Sequence, residues 1–235
     1  MISCGSNPIG ALLEAHIEQG PILEREGCHI GVVTGGQGQR WYDLTFTGQD
    51  SHAGSTPMIG RRDALVAAAN VISLVRCIAD RFAPDAVGTV GEMSVRPNSR
   101  NTIPGEVFLT VDIRHPFSEQ LAEMDRGFRE GVAQLTSGTG VDVDIEEIWH
   151  NPPVHFDTEC VSAVQDAAAT LGYAHRRMVS GAGHDACQVC RVAPTAMIFV
   201  PCAGGLSHNE AESATSEDLE AGCNVLLHTM LKLAG

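Results

Sequence analysis

The clearest pattern of apolar and polar positions runs from residue 39 to residue 150. Trp41-Tyr-Asp-Leu-Thr-Phe-Thr47 alternates with the two-residue period of a strand and stops at Gly48. Residues 61–82 carry Leu65, Ala68, Ala69, Ile72, Val75 and Cys77 at helical spacing. Two further strands are predicted at 86–95 and 106–114, separated by the turn-rich stretch 97–105. Residues 117–135 return to helical spacing behind Ser118, which the pattern makes the N-cap, and 141–148 alternates strictly. The order β-α-β-β-α-β predicts a ferredoxin-like α+β sandwich, a four-stranded antiparallel sheet with both helices on one face.

The flanks follow another rule. Residues 12–19 and 194–201 are short apolar runs of the kind buried in an α/β sheet, whereas 158–171 and 217–233 are helical. Thr215-Ser-Glu-Asp218 forms a capping box at the start of the last helix. Two flanks of one type around a different middle predict an α/β domain interrupted by an inserted α+β domain, with segments 1–37, 38–150 and 151–235. No internal repeat or low-complexity segment breaks this division.

Charge narrows the partners. The chain has 29 Asp plus Glu against 15 Lys plus Arg, so nucleic acid and anionic membrane surfaces are repelled. No apolar run approaches the roughly 20 residues of a membrane span, and residues 1–8 lack the pattern of a signal peptide, which predicts a cytoplasmic protein. Eight scattered cysteines in a chain of this size read as free thiols. The single C-x-x-C, Cys187 to Cys190, has no second ligand pair and reads as two buried small hydrophobes.

Candidate chemistry lies in the histidines. Alternation puts Glu14, His16 and Glu18 on one face of a strand ending at a Gly-Pro turn, and two such carboxylates would fix the imidazole ring. A hydrogen-bonded core histidine and a metal ligand fit this pattern equally. His208 sits in the glycine-rich Ala203-Gly-Gly-Leu-Ser-His-Asn-Glu-Ala-Glu212 loop after a buried strand, where α/β domains place ligands, although a solvated loop histidine has the same signature. Two histidines with nearby carboxylates suit Zn²⁺, Mn²⁺, Co²⁺ or Ni²⁺. In the inserted domain His52 follows the first strand, Asn101 occupies a tight turn, and Arg114 stands where a strand empties into a loop. There its guanidinium serves either a carboxylate clamp or a surface ion pair. Ser180-Gly-Ala-Gly-His-Asp-Ala186 is a small-residue turn before a helix, compatible with an anion nest and with a plain tight turn.

His16-Ile-Glu-Gln-Gly-Pro21, His52-Ala-Gly-Ser-Thr-Pro-Met58, Asn101-Thr-Ile-Pro-Gly105, Asp112-Ile-Arg114, the 180–186 turn and Ser207-His-Asn-Glu210 together resemble the amidase (carbamoylase) branch of the M20 metallopeptidase family. The resemblance covers nearly the whole chain in order. It implies an α/β catalytic domain, here lacking its N-terminal part, interrupted by a ferredoxin-like lid that also forms a homodimer. It implies a two-metal site holding Zn, Mn, Co or Ni, with His16 and His208 as ligands. His52 would stabilise the oxyanion from the partner subunit. Asn101, Arg114, Gln39 and backbone around Ser180 and Gly181 would hold a carboxylate-bearing ureido substrate.

The implied reaction is hydrolysis of the carbamoyl or ureido C–N bond of an N-carbamoyl-L-amino acid, allantoate or N-carbamoyl-β-alanine. The family's other metal ligands and its general base belong to a segment matching nothing before His16, so the chain alone is expected to bind metal weakly and to be inactive. Glu18 offers a substitute base or a residue behind the metal ligands. A non-catalytic dimerisation or ligand-binding module is the other reading.

Overall fold

Residues 9–235 are described by the computed structural model, and they divide into two units, one formed by the residues up to Gln37 together with Val154–Gly235, the other by Gly38–Pro153. Residues 1–8, read above for the absence of a signal peptide, lie outside the described residues. The first unit opens with β1 (Leu12–Ile17), α1 (Ile22–Glu26) and β2 (Ile30–Gly36). The second contains β3 (Gly38–Thr47), β4 (Ser51–His52), α2 (Ala64–Arg81), β5 (Val87–Arg96), β6 (Thr102–Ile103), β7 (Glu106–His115), α3 (Ser118–Thr136) and β8 (Asp142–Asn151). The chain then returns to the first unit with β9 (Val154–His155), α4 (Thr158–Thr170), β10 (His175–Ser180), α5 (Ala186–Val189), β11 (Thr195–Val200) and α6 (Ser216–Leu233).

The first unit is built on a sheet of order β1-β11-β2-β10, with β9 added to β2. β11 runs parallel to β1 and antiparallel to β2, and β10 runs parallel to β2. Every residue of β11 is buried, as a continuous apolar run requires, whereas β1 ends the sheet and its residues are largely half-exposed. Val161, Val164 and Ala168 of α4 and Ala221 and Val225 of α6 bury their apolar faces against Val32, Met197 and Phe199. Asp157 caps α4 by accepting from Cys160 N at 2.9 Å. Thr215 caps α6 through Asp218 N at 3.1 Å, in agreement with the capping box.

In the second unit the four long strands pair antiparallel in the order β5-β7-β3-β8, and β4 and β6 form a separate ribbon. The alternation places Tyr42, Leu44 and Phe46 of β3 and Val107, Leu109, Val111 and Ile113 of β7 on one face, buried under both α2 and α3. Asp63 caps α2 through Leu65 N and Val66 N. Ser118 is not a cap: the residue before α3 is Phe117, which makes no side-chain capping bond, and its own N–H donates to His115 Nδ1 at 3.1 Å. The strand simply turns into the helix over a buried histidine. Among the described residues no helix is long and apolar enough to cross a membrane. Cys187 is buried and Cys190 half-buried, both are free thiols, and burial raises both thiol pKa values, which fits small hydrophobes.

Candidate functional site

Register sets His16 opposite Phe199 of β11. Its ring meets His184 edge-on at 4.7 Å between centroids and Phe199 at 6.5 Å. His16 Nδ1 lies 2.9 Å from Ile17 O. A carbonyl only accepts, so Nδ1 carries the proton and Nε2 keeps the lone pair that a cation needs. The two carboxylates sharing its strand face do not fix this ring. Glu18, buried, accepts from Ile22 N at 2.8 Å and Leu23 N at 2.7 Å, so both its oxygens cap α1. Glu14 accepts from Ala186 N at 2.8 Å and places its other oxygen 3.9 Å from His184 Nδ1.

His184 is the residue that the sequence pattern missed. In the sequence it is one residue of a small-residue turn, and the rings it meets, His16 and Phe199, lie elsewhere in the chain, so no local signal marks it. Its side chain is 2% exposed, with Nε2 2.9 Å from Ser180 Oγ. Desolvation by burial, then the neighbouring His16, push its pKa down to about 4, which keeps the ring neutral beside His16. Ser180 is fully buried, and its hydroxyl also contacts Ala182 O and Ala182 N. Any ligand at this turn would therefore meet exposed Gly181 and Gly183, not the serine side chain.

The His208 loop is seated on the chain that leaves β1. Gln19 Nε2 donates to Ser207 Oγ at 3.0 Å. Gly205, at φ +66°, lies so close to Pro21 that an added Cβ would come within 2.6 Å of its backbone nitrogen. His208 itself has φ 56°, a conformation uncommon outside glycine, and its exposed side chain makes no hydrogen bond among the described residues. The structure thus ties the loop carrying one candidate imidazole to the exit of the strand carrying the other. In donor chemistry the two rings suit a divalent cation. In number they fall short, because among the described residues no three His, Cys, Asp or Glu side chains gather closely enough to hold a metal.

In the second unit the candidates fall into two groups. On the β4–β6 ribbon His52 pairs with Thr102, and Ala53 N donates to Asn101 O at 2.8 Å. His52 Nδ1 accepts from Gly54 N at 3.0 Å and Ser55 N at 3.1 Å, which leaves the proton on Nε2 of this exposed ring. Asn101 Oδ1 accepts from Ser99 Oγ at 2.9 Å, so its amide NH₂ remains a donor. Gln39 and Arg114 form a directly opposed β3–β7 pair, with Asn151 on Gln39's other side. The Arg114 guanidinium grips Asp112 through Nε at 3.0 Å and Nη2 at 2.5 Å. The ribbon is rooted where β7 begins, since Gly48 N donates to Gly105 O, whereas Arg114 lies eight residues further, about 27 Å along the strand. His52 with Asn101 and Gln39 with Arg114 are thus brought together as two pairs at opposite ends of one sheet.

Residues 1–232 match the profile of Peptidase family M20/M25/M40. The chain is similar to an N-carbamoyl-L-amino-acid amidohydrolase of Rhizobium meliloti, with 48% identity over 98% of this chain and 55% of the relative. It is similar to an allantoate amidohydrolase of Bacillus subtilis, with 36% identity over 96% of this chain and 55% of the relative. Among solved structures it superposes on an amidase of the hydantoinase/carbamoylase family from Burkholderia multivorans with a TM-score of 0.94 and 57% identity, covering 98% of this chain and 56% of that one. The chain therefore spans a little over half the length of the relatives it matches.

Proposed function

Because the chain belongs to peptidase family M20/M25/M40, in its amidase and carbamoylase branch, we propose that it carries part of the site of a metal-dependent amidohydrolase. The reaction is hydrolysis of the carbamoyl or ureido C–N bond of an N-carbamoyl-L-amino acid or a related ureido acid, such as allantoate or N-carbamoyl-β-alanine, releasing an amine, ammonia and carbon dioxide. The observation that carries this reading is the seating of the His208 loop on the exit of β1, through Gly205 against Pro21 and Gln19 against Ser207.

His16 and His208 are the donors this chain offers to a divalent ion such as Zn²⁺, Mn²⁺, Co²⁺ or Ni²⁺, and further donors must complete its coordination. When bound, such an ion would polarise the carbamoyl carbonyl and acidify a water. The proton released by the attacking water needs a further base; stabilising the oxyanion and holding the substrate fall to the second unit. Attack of water on the carbamoyl carbon builds negative charge on its oxygen, and His52, held with its proton on Nε2, donates to that oxygen. Asn101 adds an amide donor. Arg114, oriented by Asp112 and paired with Gln39, holds the substrate carboxylate, with backbone at Gly181 beside Ser180 as a further contact.

The length of β7 between the two pairs supports a shared site in a homodimer formed through the second unit, in which His52 and Asn101 of one copy serve a substrate gripped by Arg114 of the other. Bound metal and hydrolysis of N-carbamoyl-L-alanine by the chain test this reading. Metal with turnover that is lost in His52→Ala supports it. A chain that binds a carboxylate ligand through Arg114 yet takes no metal, and hydrolyses nothing even with added donors, is a ligand-binding module instead.

A further inference from the structure

Arg61 puts its positive charge to an unusual use. In a chain of net charge −14 it forms no ion pair among the described residues. Its guanidinium is turned instead into the short loop that follows His52. Nη2 donates to Ala53 O at 2.9 Å and to Thr56 O at 2.8 Å, and Nε donates to Pro57 O at 3.3 Å. Three carbonyls of one five-residue loop thus converge on a single planar cation, an arrangement that a forked guanidinium satisfies and a lysine ammonium, with its compact head, does not.

The loop gathered in this way is the one that sets the tautomer of His52. Thr56 N donates back to His52 O at 3.1 Å, closing the turn. Inside it Gly54 N and Ser55 N point at His52 Nδ1. The backbone comes so near the ring that an added Cβ at Gly54 would lie 3.2 Å from His52 Cε1. On the opposite side Ala53 N is held by Asn101 O, so the peptide groups flanking Ala53 are fixed between Arg61 and Asn101. Without the cation the carbonyls of Ala53 and Thr56 would turn to water, and the amides between them would lose their aim at Nδ1.

We propose that Arg61 is the positioning residue for His52: by gathering the carbonyls of Ala53, Thr56 and Pro57 it aims two amides at Nδ1 and holds the ring as the Nε2–H tautomer. This rests on the reading of His52 as the donor to the developing oxyanion, because only a proton on the outward-facing nitrogen serves that role. Arg61 touches no substrate and acts through the loop alone.

Long-range ¹H–¹⁵N correlation on the labelled full chain reads the tautomer of His52 directly, with His52→Gln assigning the signals. The wild type shows a protonated Nε2 and a bare Nδ1. In Arg61→Gln and Arg61→Lys the Nδ1–H population rises by about tenfold, as loss of roughly one net hydrogen bond requires. The amides of Gly54 and Ser55 exchange with solvent faster by a similar factor, while amides within α2 and β7 keep their protection. A purely structural role would raise exchange throughout the unit and leave the tautomer alone. An unchanged tautomer in both variants, or an exchange increase spread over α2 and β7, overturns the proposal. If His52→Gln leaves hydrolysis of N-carbamoyl-L-alanine unchanged under conditions in which the wild type turns over, the catalytic reading of His52 falls, and the tautomer result still decides the role of Arg61.

Discussion

Replacing Gly205 by alanine puts a methyl group where the loop carrying His208 meets the turn after β1. The added Cβ would lie 2.6–2.7 Å from three atoms of Pro21, two of them backbone, which cannot swing aside like the end of a flexible side chain. Its left-handed φ adds about 1–2 kcal/mol for an L-residue, and overpacking adds about 1–3 kcal/mol, so a loss of about 2–5 kcal/mol is expected. Gly204 supplies the control. It has φ +63° but only Leu206 Cγ near its Cβ position, at 3.8 Å, so Gly204→Ala isolates the conformational part, about 1–2 kcal/mol. Urea unfolding of both variants measures the difference. If the loop moves to relieve the clash, the loss shrinks, but the Gln19–Ser207 bond breaks and cation binding weakens. Gly205→Ala matching Gly204→Ala in both stability and cation binding would refute the seating of this loop on Pro21.

Two further expectations concern buried acid–base groups. Glu18→Gln removes one charged acceptor from the α1 amides, one of which belongs to fully buried Leu23, and should cost about 1–3 kcal/mol in unfolding free energy; a variant with wild-type stability and abolished turnover would make Glu18 a base instead. His184, depressed to about 4 from an ordinary 6.5, binds a proton more readily when unfolded. Its contribution to stability is therefore present above about pH 6.5 and is lost as pH falls toward 4, at most about 3 kcal/mol in the metal-free chain. His184→Asn should flatten stability against pH over that window, and an unchanged slope would contradict the burial argument.

The parts legible in the sequence are those whose cause is local. Alternation in 41–47 and 106–114 suffices to put Tyr42, Leu44, Leu109 and Val111 under the helices, and Thr215 caps α6 through the residue three positions on. β2 was not legible, because its glycines argue against a strand. They are required by close approach: a Cβ at Gly31 would meet Met178 and Phe199, and one at Gly35 would lie 2.1 Å from Val154 O. Ser118 carries the residue type of a cap, but the hydrogen bond that orders this corner is donated by Phe117 N to His115 Nδ1, on the strand side. For the proposed site, the acidic setting of His16 and the glycine-rich setting of His208 single both residues out in the sequence. The ring neighbour His184, and the diversion of Glu14 and Glu18 to backbone amides, depend on contacts that only the folded chain creates. The opposed placement of Gln39 and Arg114 follows from strand register, which alternation alone leaves open.

We infer that His16 and His208 share one cation. Titration of the chain with Co²⁺, followed by its visible absorption, tests it in the wild type, His16→Ala, His208→Ala and the double variant. Each single substitution is expected to weaken binding by at least about tenfold, and the double variant to be little worse than either one, because a shared ion is lost with its first ligand. Losses that simply add, or a His208→Ala chain that binds Co²⁺ as the wild type does, would contradict it.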